Sequence, residues 1–107
     1  MPTAPVSQVL HLTEMAGYQE GAVVSRQITK SDTGNITLFA FDKDQGLSEH
    51  TAPFDAFVHI LEGEAEVTIS GQAYILMAGD AIIMPAQQPH ALKALQKFKM
   101  LLTMIRA

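Results

Sequence analysis

The sequence predicts an all-β domain, a sandwich or barrel of antiparallel strands. Short apolar runs rich in Val, Ile, Phe and Thr recur along the chain. Turn signals separate them, including Ser-Asp-Thr-Gly-Asn at 31–35, Ser-Gly-Gln at 70–72 and Ala-Gly-Asp at 78–80. No stretch keeps a long helical period, and strands this short with turns this frequent suit a sandwich or barrel.

Taken in order, Met1–Pro5 reads as a loose tail and Val6–Leu12 as a short strand. Thr13 caps one helical turn through Ala16, which Gly17 stops. Ala22–Lys30 is a strand with Val24, Arg26 and Ile28 on one parity. Ile36–Phe41 follows, then a turn at Asp42–Gly46 and a strand at Leu47–Thr51 carrying His50. Pro53 breaks the run, and Phe54–Leu61 is the next strand. Ala56, Val58 and Ile60 share one face of it, while Phe57, His59 and Leu61 share the other. After the Gly63 turn come Ala65–Ile69, Ala73–Met77, Ala81–Met84 and Ala91–Leu95, and Phe98–Ile105 closes the domain. Met100, Leu102 and Met104 alternate with Leu101, Thr103 and Ile105, so both faces of this last strand are apolar and expect a cover. One cover is the barrel interior. The other is either a second sheet of the same chain or a partner subunit.

Composition narrows the partners. At 107 residues the chain is one domain, 1–107, with one core. A net charge of −4 with scattered basic residues excludes a nucleic-acid backbone as partner. Cysteine is absent, which excludes thiolate metal sites and thiol nucleophiles. No apolar run reaches membrane-spanning length, and the N-terminal residues lack the pattern of a signal peptide, so no membrane partner and a cytoplasmic location are expected. Charged residues are only 17% of the chain, sparse cover for a small surface, which points to a homodimer.

Two stretches carry the functional signal. Gly46–Gly63 reads GLSEHTAPFDAFVHILEG, and 79–94 reads GDAIIMPAQQPHALKA. Each places one histidine beside a glycine turn and a short apolar run. In Gly46, Gly63, Gly79, Pro85 and His90 the chain resembles the cupins, over a motif region of 46–94. The resemblance implies an antiparallel cupin barrel, the RmlC-like jelly roll or double-stranded β-helix, with a site at its mouth. The family's usual metal ligands are three histidines and a glutamate. Counted back from Gly63, the first-motif slots fall on His50, Ala52 and Ala56, and the second motif supplies His90. Gln87 stands in a glycine slot and Ala94 in an asparagine slot. In cupins that linearise unsaturated uronates, an acidic residue and an arginine lie near the final strand. Here those positions fall on Met100 and Arg106.

The expected ligand pocket is therefore His50, His90, Ala52, Ala56, Arg26 and Met100, with the two imidazoles facing each other across the barrel mouth. Arg26 either points inward to clamp a carboxylate or sits at a strand edge with its head in water. Either no cofactor is held, or His50 and His90 bind one divalent transition metal (iron, nickel, manganese or zinc), with Gln88, Asp55 or water as a further ligand. Two functions follow. One is a small-molecule-binding barrel with a degenerate metal site. The other is a metal-dependent dioxygenase or isomerase acting on a small oxygenated or acidic substrate. His11 and His59 are expected at the surface or an interface, Glu62 and Glu64 in solvent, and Asp80 in a structural role at its turn.

Overall fold

The computed structural model describes residues 3–106. Its elements are a 3-10 turn (Leu12–Glu14) and nine strands: β1 (Val23–Ser31), β2 (Gly34–Phe41), β3 (Gly46–His50), β4 (Phe54–Glu62), β5 (Glu64–Ile69), β6 (Gln72–Met77), β7 (Ala81–Met84), β8 (His90–Ala94) and β9 (Phe98–Arg106). They form a five-stranded sheet, β1-β2-β9-β4-β7, and a four-stranded sheet, β3-β8-β5-β6, with every pairing antiparallel. This is the all-β antiparallel jelly roll expected from the sequence. Among the described residues no helix is long and apolar enough to cross a membrane.

Strand alternation builds the core. Phe41, Ala56, Val58, Ile60, Met84, Phe98, Met100 and Leu102 from the larger sheet meet Ala65, Val67, Leu76, Leu92 and Ala94 from the smaller one. At one end of this lumen the rings of Phe41 and Phe98 stack 4.5 Å apart. Such a pair adds about 0.5–1.5 kcal/mol beyond its buried area. Gly63 sits at the same end with φ +87, and a Cβ there would run into the Lys97 carbonyl and meet the Phe98 Cα at 2.6 Å.

The outer face of the larger sheet holds a second cluster. Ile28, Leu38 and Ala40 are buried with Ala4 and Ala16, and Leu10, Leu12, Met15, Tyr18 and Leu101 pack around them. The N-terminal segment thus folds over this face, and two expectations change. Val6–Leu12 forms no strand, since Ser7 at φ 58 breaks the extended run. The tail is anchored at Ala4, whose N–H donates to the Ile28 carbonyl at 2.9 Å, while Met1 and Pro2 lie outside the described residues. The register slip between Gln27 and Thr29 marks a bulge at Ile28, which takes its backbone out of the β1–β2 ladder.

Lys99 and Tyr18 pin the far end of the segment. The Lys99 ammonium donates to the Thr13 carbonyl and lies 5.0 Å from the Tyr18 ring centroid. The Tyr18 hydroxyl donates to Glu62 at 2.6 Å. Burial first, and then the Glu62 carboxylate, push the tyrosine pKa far up. Glu62 is therefore tied into this contact rather than free in solvent. The second cover of β9 is also settled over part of its length. Leu101 lies under the N-terminal segment of the same chain, whereas Ile105 stays 58% exposed.

Candidate functional site

The two histidines meet because of an irregularity in β3. Its register against β8 runs Gly46–Lys93 and Leu47–Leu92, then slips before His50–His90. The extra residue turns His50 to the inner face, where simple alternation from Leu47 would have put Glu49. The imidazole centroids are 4.4 Å apart at an interplanar angle of 76°, and the two Nε2 atoms are 3.1 Å apart. The rings are cross-strand neighbours in one sheet. That corrects the expectation that they oppose each other across the mouth, because β3 and β8 are adjacent strands.

Hydrogen bonding orders the protons of the neutral pair. His50 Nδ1 lies 2.7 Å from the Ser48 carbonyl, which can only accept, so this nitrogen donates. His50 Nε2 is then bare and accepts from His90 Nε2–H. His90 Nδ1 becomes a bare acceptor, and it is buried without a hydrogen-bond partner among the described residues. His90 itself is 4% exposed. Burial first, and then the neighbouring His50, hold its pKa below the ordinary histidine value. The backbone of Gln88 pulls weakly the other way, without reaching hydrogen-bond geometry.

The other expected residues divide. Ala52 is half-buried in the loop after β3, and its carbonyl accepts from the Gln87 N–H at 2.8 Å. Gln87 has φ 66, so the glycine conformation persists at a position without glycine. Ala56 is 2% exposed, with Met104 and Met84 as its cross-strand partners. Met100 is fully buried core, paired with Phe39 and Ile60. Arg26 leaves the expected set. It pairs with Leu38 on the outer face and lines a shallow surface cavity with Gln8, His11 and Glu14. The parity it shares with Val24 and Ile28 is that of the face beneath the N-terminal segment, not of the lumen.

The proposed third metal ligands are engaged elsewhere. The Asp55 carboxylate accepts the Ala86 N–H at 2.9 Å, and Gln88 accepts from the Ser70 hydroxyl at 2.7 Å. Among the described residues no three His, Cys, Asp or Glu side chains come together. His59 pairs with Leu101 and Ala81, on the face opposite Ala56. Asp80 accepts the Met77 N–H at 2.9 Å, the structural role expected of it.

Register also brings in residues that the sequence reading passed over. On the smaller sheet the rim row is His50–His90–Ile69–Gln72. On the larger sheet a continuous inner row runs Lys30–Asn35–Met104–Ala56–Met84, and the row beneath holds Gln27 and Thr37. Asn35 and Thr37 share the parity of Phe39 and Phe41, a signal present in the sequence. Lys30 was hidden, because the β1 bulge inverts the parity after Gln27.

A profile of the cupin domain matches residues 37–106, so the chain belongs to the cupin family. No curated protein matches it. Among solved structures, it is similar to a conserved protein of unknown function from Streptococcus pyogenes, at 36% identity and TM-score 0.92, covering 100% of this chain and 96% of that one. It is also similar to a cupin superfamily protein from Desulfitobacterium hafniense, at 30% identity and TM-score 0.91, covering 99% and 97%. An RmlC-like cupin from Desulfovibrio desulfuricans, at 24% identity and TM-score 0.81, covers 92% and 95% and shares the fold.

Proposed function

We propose that this cupin binds a small molecule at the histidine end of its barrel, through its imidazoles rather than through a resident metal. The observation that carries the reading is the hydrogen bond between His50 and His90. Each imidazole already uses its Nε2 in the other. A metal would have to displace the shared proton and would meet two neutral nitrogens with no carboxylate to balance its charge. The family's carboxylate slot is instead Ala56, closed in by methionines.

A metal-dependent enzyme acting on a small oxygenated or acidic substrate is the second reading. It is favoured by the 3.1 Å between the two Nε2 atoms, a separation that one ion with bonds of about 2.1 Å spans. Elemental analysis of protein purified without a chelating column separates the two. Metal well below one equivalent, with little change in His50→Ala, is expected. Near-stoichiometric iron, nickel, manganese or zinc that disappears in His50→Ala would establish the enzyme reading instead.

We also propose a homodimer. Support comes from the uncovered part of the larger sheet's outer face, where Thr103, Phe57 and Ile83 form one register row and Ile105 lies beside it. Phe57, Ile83 and Ile105 are exposed apolar side chains. Light scattering should give twice the 11.6 kDa chain mass, and Ile83→Glu should return the single-chain mass.

A further inference from the structure

Among the described residues, the strand rows that face the barrel interior carry no acid, although the chain has 11 Asp and Glu against 7 Lys and Arg. The strand carboxylates Asp55, Glu62, Glu64 and Glu66 pair in outward-facing rows, with Ile105, Lys99, Met77 and Lys93 respectively. Glu49 is exposed in the β3 irregularity. Among the described residues, the charged side chains in inward-facing register are Lys30 and Arg106, both basic. Lys30 stands in the row of Asn35, Met104 and Ala56. Arg106 pairs with Phe54, one inner step beyond Met104.

Both belong to the histidine end. Three residues of chain separate His50 from Phe54, and His90 follows Met84 by one short loop, so the ends of β3, β4, β7 and β8 lie together. Arg106 is partly fixed there. Its Nε donates to the Asp32 carbonyl at 3.2 Å, and its guanidinium carbon lies 5.3 Å from the Phe54 ring centroid. That leaves the Nη donors for a ligand. The nearest inner-face groups on the larger sheet, Asn35 and Thr37, are neutral.

We infer that the ligand of the histidine end is a small carboxylate, its anionic group held by Arg106 and Lys30 and its uncharged part turned toward His50 and His90. The inference deepens, and rests on, the small-molecule reading above. Its physical basis is charge segregation. Inward rows with two cations and no strand carboxylate, beside walls of low dielectric, favour a negative solute over a positive one, although Asp32 in the adjoining turn offsets part of that field. Planar bidentate pairing with a guanidinium then selects a carboxylate over a neutral amide of the same shape. The remote imidazoles contribute orientation, through the bare His50 Nε2 and the His90 Nε2–H that are freed when their mutual hydrogen bond opens.

Isothermal titration of the full chain with malate, succinate and benzoate, and with the matching amides, tests this. Each acid that binds should bind about tenfold or more tightly than its amide, and should weaken by about as much in Arg106→Gln. Lys30→Gln, on an exposed strand end where folding is not at stake, should weaken it severalfold, and Lys43→Gln at the opposite end of the barrel should leave it unchanged. Rising ionic strength should reduce binding of the acids alone. Amides binding as well as acids, with Arg106→Gln silent, would overturn the carboxylate inference while leaving a small-molecule site intact. Acid binding that ignores His50→Ala and His90→Gln would place the site elsewhere and overturn both. No acid binding at millimolar concentration, in a protein that takes up zinc at the histidines, would overturn both as well.

Discussion

The two ends of the barrel are built on opposite principles. At the Phe41–Phe98 end, ring stacking and the close approach of Gly63 to Lys97 and Phe98 leave no room for a further atom. At the histidine end the inner rows carry Lys30, Asn35, Gln72 and two imidazoles, and one buried nitrogen has no partner among the described residues. A packed end gains from every methylene it buries. An end that leaves polar groups unpaired gives up stability, and such groups persist where a ligand completes them. The difference teaches where this small domain concentrates its stability and where it keeps chemistry available.

The contrast can be broken first at the packed end. Phe98→Ala should cost about 3–5 kcal/mol in urea unfolding, since it removes a stacked, fully buried ring. Gly63→Ala should cost about 2–4 kcal/mol through strain at positive φ and backbone collision. Gln72→Ala in the histidine row, exposed at the rim, should fall within about 0.5 kcal/mol. A large loss at Gln72 or a small one at Phe98 would erase the distinction.

A sharper test lies on the boundary between the two regimes. Ala56 occupies the family's ligand slot, yet it is buried. Ala56→Glu alone should destabilise the metal-free protein by about 2 kcal/mol or more, because it places a carboxylate among methionines. In Ala52→His/Ala56→Glu, zinc should recover that loss, read as a rise in Tm with added metal. Recovery without the added ligands would mean that the native residues already hold metal.

The histidine pair supplies a pH signature. The pKa of His90 is lowered in the folded chain from an unfolded value of 6.5. As pH falls, the unfolded chain takes up this proton first, so the folded state loses ground. Stability from this group is complete above about pH 6.5 and is lost as pH drops from there toward the folded pKa. Urea midpoints between pH 7.5 and 4.5 should show the decline, and His90→Gln should flatten it. An unchanged slope in that variant would assign the decline to other groups.

The smallest effect belongs to Gln87, which holds φ 66 in a glycine slot. Gln87→Gly relieves about 1–2 kcal/mol of steric cost but adds freedom to the unfolded chain, so a net gain below about 1 kcal/mol is expected in thermal unfolding.

Much of the fold was legible in the chain. Ala81–Met84 appears with the expected bounds, and most other strands differ by one or two residues at an end. Ala56, Val58 and Ile60 lie inward and His59 outward, as period-two alternation requires. The site was legible only as far as the motif spacing reached. His50 and His90 are brought together, but Arg26 lies outside the barrel, and Lys30 stands in the inner register that the sequence had assigned to Arg26's parity.

Alternation of apolar residues and the placement of glycine and proline are local, so the sequence alone determined the strands, the turns and the two histidines at one end. The face each strand presents is not local once a bulge intervenes. One extra residue between Gln27 and Thr29, and another between Leu47 and His50, inverts every side chain beyond it. Both slips sit in stretches whose composition gives no sign of them, because a bulge depends on what the partner strand offers. The same holds for the N-terminal segment. Its apolar residues suggested a strand at Val6–Leu12 that does not form, and only the uncovered outer face of Leu38, Ala40 and Leu101 decided where they pack.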